Sequence, residues 1–311
     1  MNILRMKQNN KLLISVVGPT GIGKTKLAIE IAQRFGTEIV SCDARQFFKE
    51  MPIGTAMPDE EELAAAPHHF IANLSIQDDY SIGKYEKDAL NKLEELFQKY
   101  DVVIMVGGSG MYERAVIDGL DKLPEANADN IGKLEAILES EGIAKLQELL
   151  KEADPLYYDK ADTENPRRLL RALDIFWQTG SPYSELLNKS RIERNFDVIR
   201  IGIEAPREVL YDRINRRVDI MMEKGLLEEA TVLYPYREKT ALQTVGYTEL
   251  FKYMDGEWTL DFAVEEIKKN SRRYSKRQLT WYRKTADIHY LQLGYTPKDL
   301  EELLRQLSLI K

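Results

Sequence analysis

The chain of 311 residues is expected to form an α/β core with a parallel sheet, interrupted by an all-helical insertion. Three observations carry that expectation. Short, wholly apolar or β-rich runs recur and stop abruptly at glycines or polar tips: Leu12-Leu13-Ile14-Ser15-Val16-Val17, Ile39-Val40-Ser41 and Val102-Val103-Ile104-Met105-Val106, the texture of strands covered on both faces. The first run leads straight into Gly18-Pro19-Thr20-Gly21-Ile22-Gly23-Lys24-Thr25 and then into apolar residues at helical spacing. From about Asp118 to Lys189 no strand pattern appears; Glu/Ala/Leu-rich helical periodicity takes over, punctuated by Pro124, Pro155, Pro166 and Pro182. The expected organisation is therefore a core in two parts, residues 1–117 and 190–311, around a helical insertion at 118–189.

Strand, glycine loop ending in Lys-Thr, then helix is the complete Walker A pattern in its required context, which makes the core P-loop NTPase-like. Leu27, Ala28, Ile31, Ala32 and Phe35 mark the helix, and Gly36 its C-cap. Loop amides and the helix N-terminus form an anion cradle; Lys24 would hold outer phosphate oxygens and the Thr25 hydroxyl a Mg²⁺ ion. The chain thus handles a polyphosphate, though the loop alone does not say which.

The second run ends at Cys42-Asp43. Ligands of open α/β sheets bind beyond the carboxyl ends of strands, so Asp43 is placed for chemistry. A short acidic helix over Asp59 to Ala66 precedes Pro67-His68-His69-Phe70, and Lys84 to Tyr100 reads as an amphipathic helix. The third run enters Gly107-Gly108-Ser109-Gly110, again with a hydroxyl at the tip. Phe196 to Ile203 restores a strand; Pro206 suits N1 of the next helix and Gly225 its stop. Ile288 to Leu291 offers a last strand.

Composition narrows the class. One cysteine, Cys42, and three histidines exclude a disulfide framework and a Cys/His zinc module. No apolar run approaches membrane-spanning length, and Met1 to Lys11 lacks the apolar core of a secretory signal, so a cytoplasmic protein, expected as a monomer, is anticipated. The net charge of −7 argues weakly against a nucleic-acid partner, but totals hide distribution.

Two helices show where the charge sits. After Pro206, Leu210, Ile214, Val218 and Met221 form a core stripe that includes Arg217 and excludes Arg216. A buried arginine needs an anion: either a structural carboxylate or a ligand phosphate, and the pattern does not choose. From Thr259 to about Lys284, Leu260, Ile267, Tyr274 and Trp281 share one face, while Lys269, Arg272, Arg273, Lys276 and Arg283 share the other. A one-signed arc in an acidic protein points to an anionic polymer.

A Walker B acid is missing, since Asp101 lies at the wrong end of its strand, and no Asn-Lys-x-Asp guanine reader exists because Asn188-Lys189 continues Ser190-Arg191. A transferase remains, with Asp43 as general base, as a second-shell Mg²⁺ partner, or as a helix N-cap. A small-molecule kinase would not need the basic helix.

Together these segments resemble the tRNA dimethylallyltransferases (tRNA isopentenylpyrophosphate transferases). The resemblance runs from Gly18 to about Lys284 through the glycine loop, Ser41-Cys42-Asp43-Ala44-Arg45-Gln46, Ile53-Gly54-Thr55-Ala56, Pro67-His68-His69, Gly107-Gly108-Ser109-Gly110-Met111-Tyr112, Asn165-Pro166-Arg167-Arg168 with Arg171-Ala172-Leu173, Val245-Gly246-Tyr247, and Lys276-Arg277-Gln278-Leu279-Thr280-Trp281-Tyr282-Arg283. It implies transfer of a dimethylallyl group from its diphosphate to N6 of adenosine 37 beside the tRNA anticodon. The loop would then cradle dimethylallyl diphosphate, which suits the missing Walker B acid because no phosphoryl group moves. Asp43 would orient N6 and take its proton. Lys24, Mg²⁺ on Thr25, the loop amides, Arg217 and Ser109 would stabilise the departing diphosphate.

The same resemblance implies a flipped adenine met by Asp43, Ala44, Arg45 and Gln46, with Gln46 offering donor and acceptor to the base edge. Arg167, Arg168, Arg171, Gly246, Tyr247, Lys276, Arg277, Gln278 and Arg283 would contact the anticodon stem-loop, and His68-His69 would support the site by hydrogen bonding. The sequence departs from the family pattern where Asp-Ser-x-Gln-x-Tyr becomes Asp43-Ala44-Arg45-Gln46-Phe47-Phe48, losing two hydroxyls, and where Gly-Gly-Thr becomes Gly107-Gly108-Ser109. It also lacks the carboxyl-terminal zinc finger of some eukaryotic members, which suits a bacterial type. An adenylate isopentenyltransferase on free nucleotide, a P-loop small-molecule kinase and, because of Ala44 and Phe48, a catalytically silent tRNA-binding paralogue are the alternatives.

Overall fold

The protein is described by a computed structural model over residues 11–187, 192–285 and 287–310. A six-stranded sheet with every strand pair parallel forms its centre, in the order β3-β2-β4-β1-β5-β6. The strands are β1 (Leu12–Val17), β2 (Ile39–Ser41), β3 (His68–His69), β4 (Val102–Val106), β5 (Asp197–Glu204) and β6 (Ile288–Gln292). All six residues of β1 are buried, as a run apolar at every position but Ser15 predicts for a central strand.

Alternation along β1 sorts the core into two faces. Leu12, Ile14 and Val16 pack with Leu27, Ala28, Ile31 and Ala32 of helix α1 (Lys24–Phe35). Gly36 ends that helix in the left-handed region, with φ 59°. Between β2 and β3 lies α2 (Glu60–Ala65), and between β3 and β4 lies α3 (Ile82–Phe97). On the opposite sheet face Leu13, Val40, Val103 and Met105 meet Tyr85, Ala89, Leu93 and Leu96 of α3. That helix starts two residues before the expected Lys84 because the Ser81 hydroxyl caps it by accepting from Lys84 N.

Two further expectations change. Pro67-His68-His69 contains an edge strand, β3, parallel to β2 with Ile39 opposite His68. Pro206 is the N-cap rather than N1 of its helix, which begins at Arg207. The expected end of the insertion, Lys189, lies outside the described residues, as does the Asn188-Lys189-Ser190-Arg191 stretch.

After α4 (Gly110–Asp118), a second compact unit spans Asp118–Glu193. It is built from α5 (Ala128–Glu141), α6 (Ile143–Ala153), α7 (Pro155–Tyr158), α8 (Pro166–Thr179) and α9 (Tyr183–Leu186) around Leu134, Leu146, Leu150, Leu169 and Leu173. Its buried Asp174 accepts from Arg171 at 2.8 Å and Gln178 at 2.8 Å. The first unit resumes at Arg194 and continues after β5 with α10 (Arg207–Glu223), α11 (Leu226–Leu233), α12 (Tyr247–Met254), α13 (Leu260–Tyr282) and, after β6, α14 (Pro297–Gln306). Among the described residues no helix is long and apolar enough to cross a membrane.

One polar group interrupts the apolar side of β1. Ser15 is buried and donates to Glu113 Oε1 at 3.1 Å, and Arg200 Nε of β5 reaches the same oxygen at 2.7 Å. Removing the carboxylate strands a mostly buried guanidinium, so Glu113→Ala is expected to lower stability by about 3 kcal/mol. Ser15→Ala should lose only about 1 kcal/mol. Urea midpoints at unchanged m-value check this; equal losses for the two variants would contradict the assignment.

Candidate active site

Three loops leave the carboxyl ends of β1, β2 and β4 and meet around one cavity of about 1060 Å³. The first is the glycine loop. Gly18, Gly21 and Gly23 have φ of 141°, 79° and 107°, values that only glycine adopts without strain. Gly21 also has Ile214 against it, since a Cβ there would sit 3.1 Å from Ile214 Cγ1. Ile22 anchors the loop in the core, Lys24 Nζ donates to Pro19 O at 2.8 Å, and Thr20 and Lys24 face the cavity. Thr25 follows at the start of α1, and among the described residues its hydroxyl has no hydrogen-bond partner.

The second loop carries Asp43, whose Oδ1 accepts from Arg45 N at 3.1 Å in a tight turn. Gly107 permits this turn, because a Cβ there would lie 2.6 Å from the Cys42 carbonyl carbon and 2.8 Å from Asp43 N. The third loop brings Ser109, whose Oγ accepts from Ala44 N at 3.1 Å. Asp43, Ala44, Arg45 and Ser109 all line the cavity.

Helices α10 and α13 close the walls. Ile214, Arg217, Val218 and Met221 of α10 line the cavity at intervals of three and four residues. Arg217 donates to Thr20 Oγ1 at 3.2 Å and, at the long distance of 3.4 Å, to Thr55 O. Among the described residues it has no carboxylate partner, so the structural ion pair is not found. Burial pushes its guanidinium down, against the pull of Asp43. Arg213, one turn earlier, donates to Gly21 O at 2.9 Å; its spacing of four from Arg217 was the available signal for this loop brace.

The buried stripe of α13 is not the expected heptad face. Ala263, Ile267, Ser275, Gln278 and Tyr282 are inward, while Tyr274 is 36% exposed and lines the cavity. Burial and the neighbouring Asp43 push its phenol up. Gln278, expected at the nucleic acid, instead bridges two loops: its Oε1 accepts from Thr20 N at 2.8 Å and its Nε2 donates to Gly108 O at 2.8 Å. A Cβ on Gly108 would lie 2.4 Å from Gln278 Nε2, so that bridge requires glycine.

Other placements also differ from expectation. Gln46 spends its amide donors on Thr55 O at 3.2 Å and Ala56 O at 3.0 Å rather than facing the cavity. Tyr247 is fully buried, which takes its side chain away from any nucleic acid, and Gly246 is the N-cap of α12. Arg171 is tied to Asp174 and to Pro124 O. His69 pairs with Glu38 at 2.6 Å and His68 with Ala66 O at 2.7 Å, bracing the sheet edge instead of the cavity. Within the basic arc, Lys269 is neutralised by Glu266. Arg167, Arg168, Lys276, Arg277 and Arg283 are exposed. Arg273, Lys276 and Arg277 line a surface depression, with Arg277 over the Tyr274 ring at 5.5 Å.

Residues 46–285 match the family model described as IPP transferase. The chain belongs to the IPP transferase family, the tRNA dimethylallyltransferases. It is 54% identical to the tRNA dimethylallyltransferase of Christiangramia forsetii over 93% of this chain and 95% of that one. A second tRNA dimethylallyltransferase, from Flavobacterium johnsoniae, is also 54% identical over 90% and 93% of the two chains. Among solved structures, the full-length tRNA isopentenylpyrophosphate transferase of Bacillus halodurans matches with TM-score 0.69 and 35% identity, covering 96% of this chain and 95% of that one. A eukaryotic dimethylallyltransferase acting on tRNA matches with TM-score 0.78 and 27% identity, over 96% and 78%. In this family member the glycine loop, the Asp43 turn and the Ser109 turn share one cavity wall with Arg217.

The cations give this site a pH signature. Burial lowers Lys24 from 10.5 to about 8, with Asp43 opposing and Arg217 reinforcing the shift. Between those values the unfolded chain keeps a proton that the folded, ligand-free chain has lost, so Lys24 makes stability rise with pH from about 8 to 10.5. A bound polyanion reverses the shift, so its binding should take up a proton above pH 8 and weaken as pH rises further. Calorimetry of diphosphate binding in buffers of different ionisation enthalpy measures the uptake. Lys24→Met should abolish it; uptake unchanged in that variant would contradict the assignment.

Proposed function

We propose that this chain transfers a dimethylallyl group from dimethylallyl diphosphate to N6 of adenosine 37 in tRNA, releasing diphosphate. The observation that carries the reading is a cavity holding two buried cations, Lys24 and Arg217, with Asp43 as the lining carboxylate that acts on both. The cations and the loop amides suit a leaving diphosphate, and the carboxylate suits an incoming amine.

The lone pair of N6 attacks C1 of the allyl group while the C1–O bond breaks and its electrons leave with the diphosphate. Asp43, held by Arg45 N, orients the N6 amine and accepts its proton. Lys24, Arg217 and the Ser109 hydroxyl donate to the oxygens on which negative charge grows. Ile214, Val218 and Met221 present the apolar wall that keeps water from the developing allylic cation.

Thr25 fits a magnesium ion in this arrangement: its hydroxyl is a hard oxygen donor, uncommitted among the described residues. No group of three His, Cys, Asp or Glu side chains forms a cluster among those residues, so diphosphate oxygens and water would supply most of the coordination. When bound, the ion neutralises charge on the leaving diphosphate.

The exposed Arg273, Lys276 and Arg277 beside the cavity favour tRNA over free AMP, because a mononucleotide needs no phosphate row outside the site. Arg167 and Arg168 of the helical unit are further candidates for phosphate contacts. Nucleoside mass spectrometry of tRNA incubated with dimethylallyl diphosphate and Mg²⁺ tests the reading, with AMP as the competing acceptor. N6-isopentenyladenosine in tRNA is expected; prenylated AMP with unmodified tRNA would reverse the substrate assignment.

Two variants separate chemistry from binding. Asp43→Ala should reduce turnover by roughly 10²- to 10⁴-fold while leaving tRNA affinity near normal. Arg277→Ala should weaken tRNA binding and lower the salt slope by about 1. Single-turnover rates and filter binding over a salt series measure both effects.

A further inference from the structure

Two of the segments singled out in the sequence, Ile53-Gly54-Thr55-Ala56 and Val245-Gly246-Tyr247, have no role in the chemistry above. The structure joins them through a residue outside every such segment, Glu229 of α11. Its Oε2 accepts from Ile53 N at 2.8 Å, and its Oε1 accepts from Gly54 N at 2.8 Å and from the Tyr247 hydroxyl at 2.6 Å. One carboxylate thus fixes two consecutive backbone amides, while a buried phenol fixes the carboxylate. Burial first, and Glu229 beside it, push the Tyr247 phenol up, so it stays protonated and donates.

Packing leaves little room for another arrangement. A Cβ on Gly54 would lie 2.5 Å from the Tyr247 ring and hydroxyl, so only glycine lets the segment lie against that ring. Tyr247 itself has no exposed surface. From the amides that Glu229 holds, the chain runs one residue further to Thr55, whose hydroxyl donates to Met51 O at 2.6 Å. The Thr55 carbonyl then faces Gln46 Nε2 at 3.2 Å and the Arg217 guanidinium at 3.4 Å. Gly54 and Thr55 both line the cavity.

We propose that Glu229 is a positioning residue: with Tyr247 it sets the Ile53–Ala56 segment so that the Thr55 carbonyl and Thr20 Oγ1 hold the Arg217 guanidinium against the cavity. A guanidinium without a carboxylate partner is otherwise free to rotate away from an incoming anion, and two neutral acceptors orient it without cancelling its charge. Glu229 touches neither substrate nor reacting atoms. This inference rests on the reading of Arg217 as a diphosphate donor.

A double-mutant cycle tests it. Glu229→Gln keeps the side-chain shape but turns an N–H donor toward a backbone N–H, and Tyr247→Phe removes only the hydroxyl that fixes the carboxylate. In the wild-type background Glu229→Gln should lower kcat/KM for dimethylallyl diphosphate by roughly 10²-fold, since misplacement of about 1 Å costs that much. Tyr247→Phe should lower it by a smaller factor, and KM for tRNA should be unchanged in both. In an Arg217→Ala background both losses should vanish, although any fall in melting temperature persists there. Losses that persist at full size in the Arg217→Ala background would overturn the inference and leave Arg217's own role standing. Glu229→Gln at wild-type kcat/KM would do the same. If Arg217→Ala alone keeps full kcat/KM, the reading of Arg217 fails, and the inference falls with it.

Discussion

Buried positive charge without a matching protein carboxylate is the constraint around which this molecule is built. Lys24 and Arg217 are both desolvated, and Asp43 is the one acidic side chain lining the cavity that acts on both. Desolvating a charge costs several kcal/mol unless something repays it. On the proposed reading the compensating charge belongs to the ligand, and a diphosphate entering the cavity would reverse the depression of Lys24.

The surrounding architecture holds those charges apart and aimed. Parallel strands deliver three loops to one edge, and two of them need glycine at specific places: Gly21 beside Ile214 after β1, and Gly107 against the Cys42–Asp43 turn and Gly108 under Gln278 after β4. Gln278 ties the loop after β1 to the loop after β4, Arg213 braces the glycine loop from α10, and the Glu229-held segment steadies Arg217 from the other side. These holders work through backbone amides and carbonyls. The walls are therefore fixed without placing a carboxylate on Lys24 or Arg217.

Much of this was legible in the sequence where a residue's environment repeats a simple rule. Strands β1, β2 and β4 were readable because both of their faces are covered, which leaves apolar runs broken only by Ser15 and Ser41. The glycine loop announced itself through its flanks, and Arg217 through its place in a core stripe. The two-residue edge strand β3 carried no such signal, being a pair of histidines. Polar partners were the hidden part. Gln278 and Thr20 lie 258 positions apart and Tyr247 and Glu229 lie 18 apart, and no periodicity tells which buried donor meets which acceptor. For the same reason the face of α13 was misjudged, since an apolar stripe does not anticipate a glutamine buried because both ends of its amide are satisfied.

The central claim is geometric: leaving group and nucleophile meet in one cavity, the first at the cations and the second at Asp43. A crystal structure of the protein with an anticodon stem-loop RNA and a thio-analogue of dimethylallyl diphosphate tests it most directly. The account predicts diphosphate oxygens within hydrogen-bond distance of the glycine-loop amides, Lys24 and Arg217, with an unstacked adenine whose N6 reaches the Asp43 carboxylate. Diphosphate seated away from the glycine loop, or an adenine amine directed to a residue other than Asp43, would contradict it.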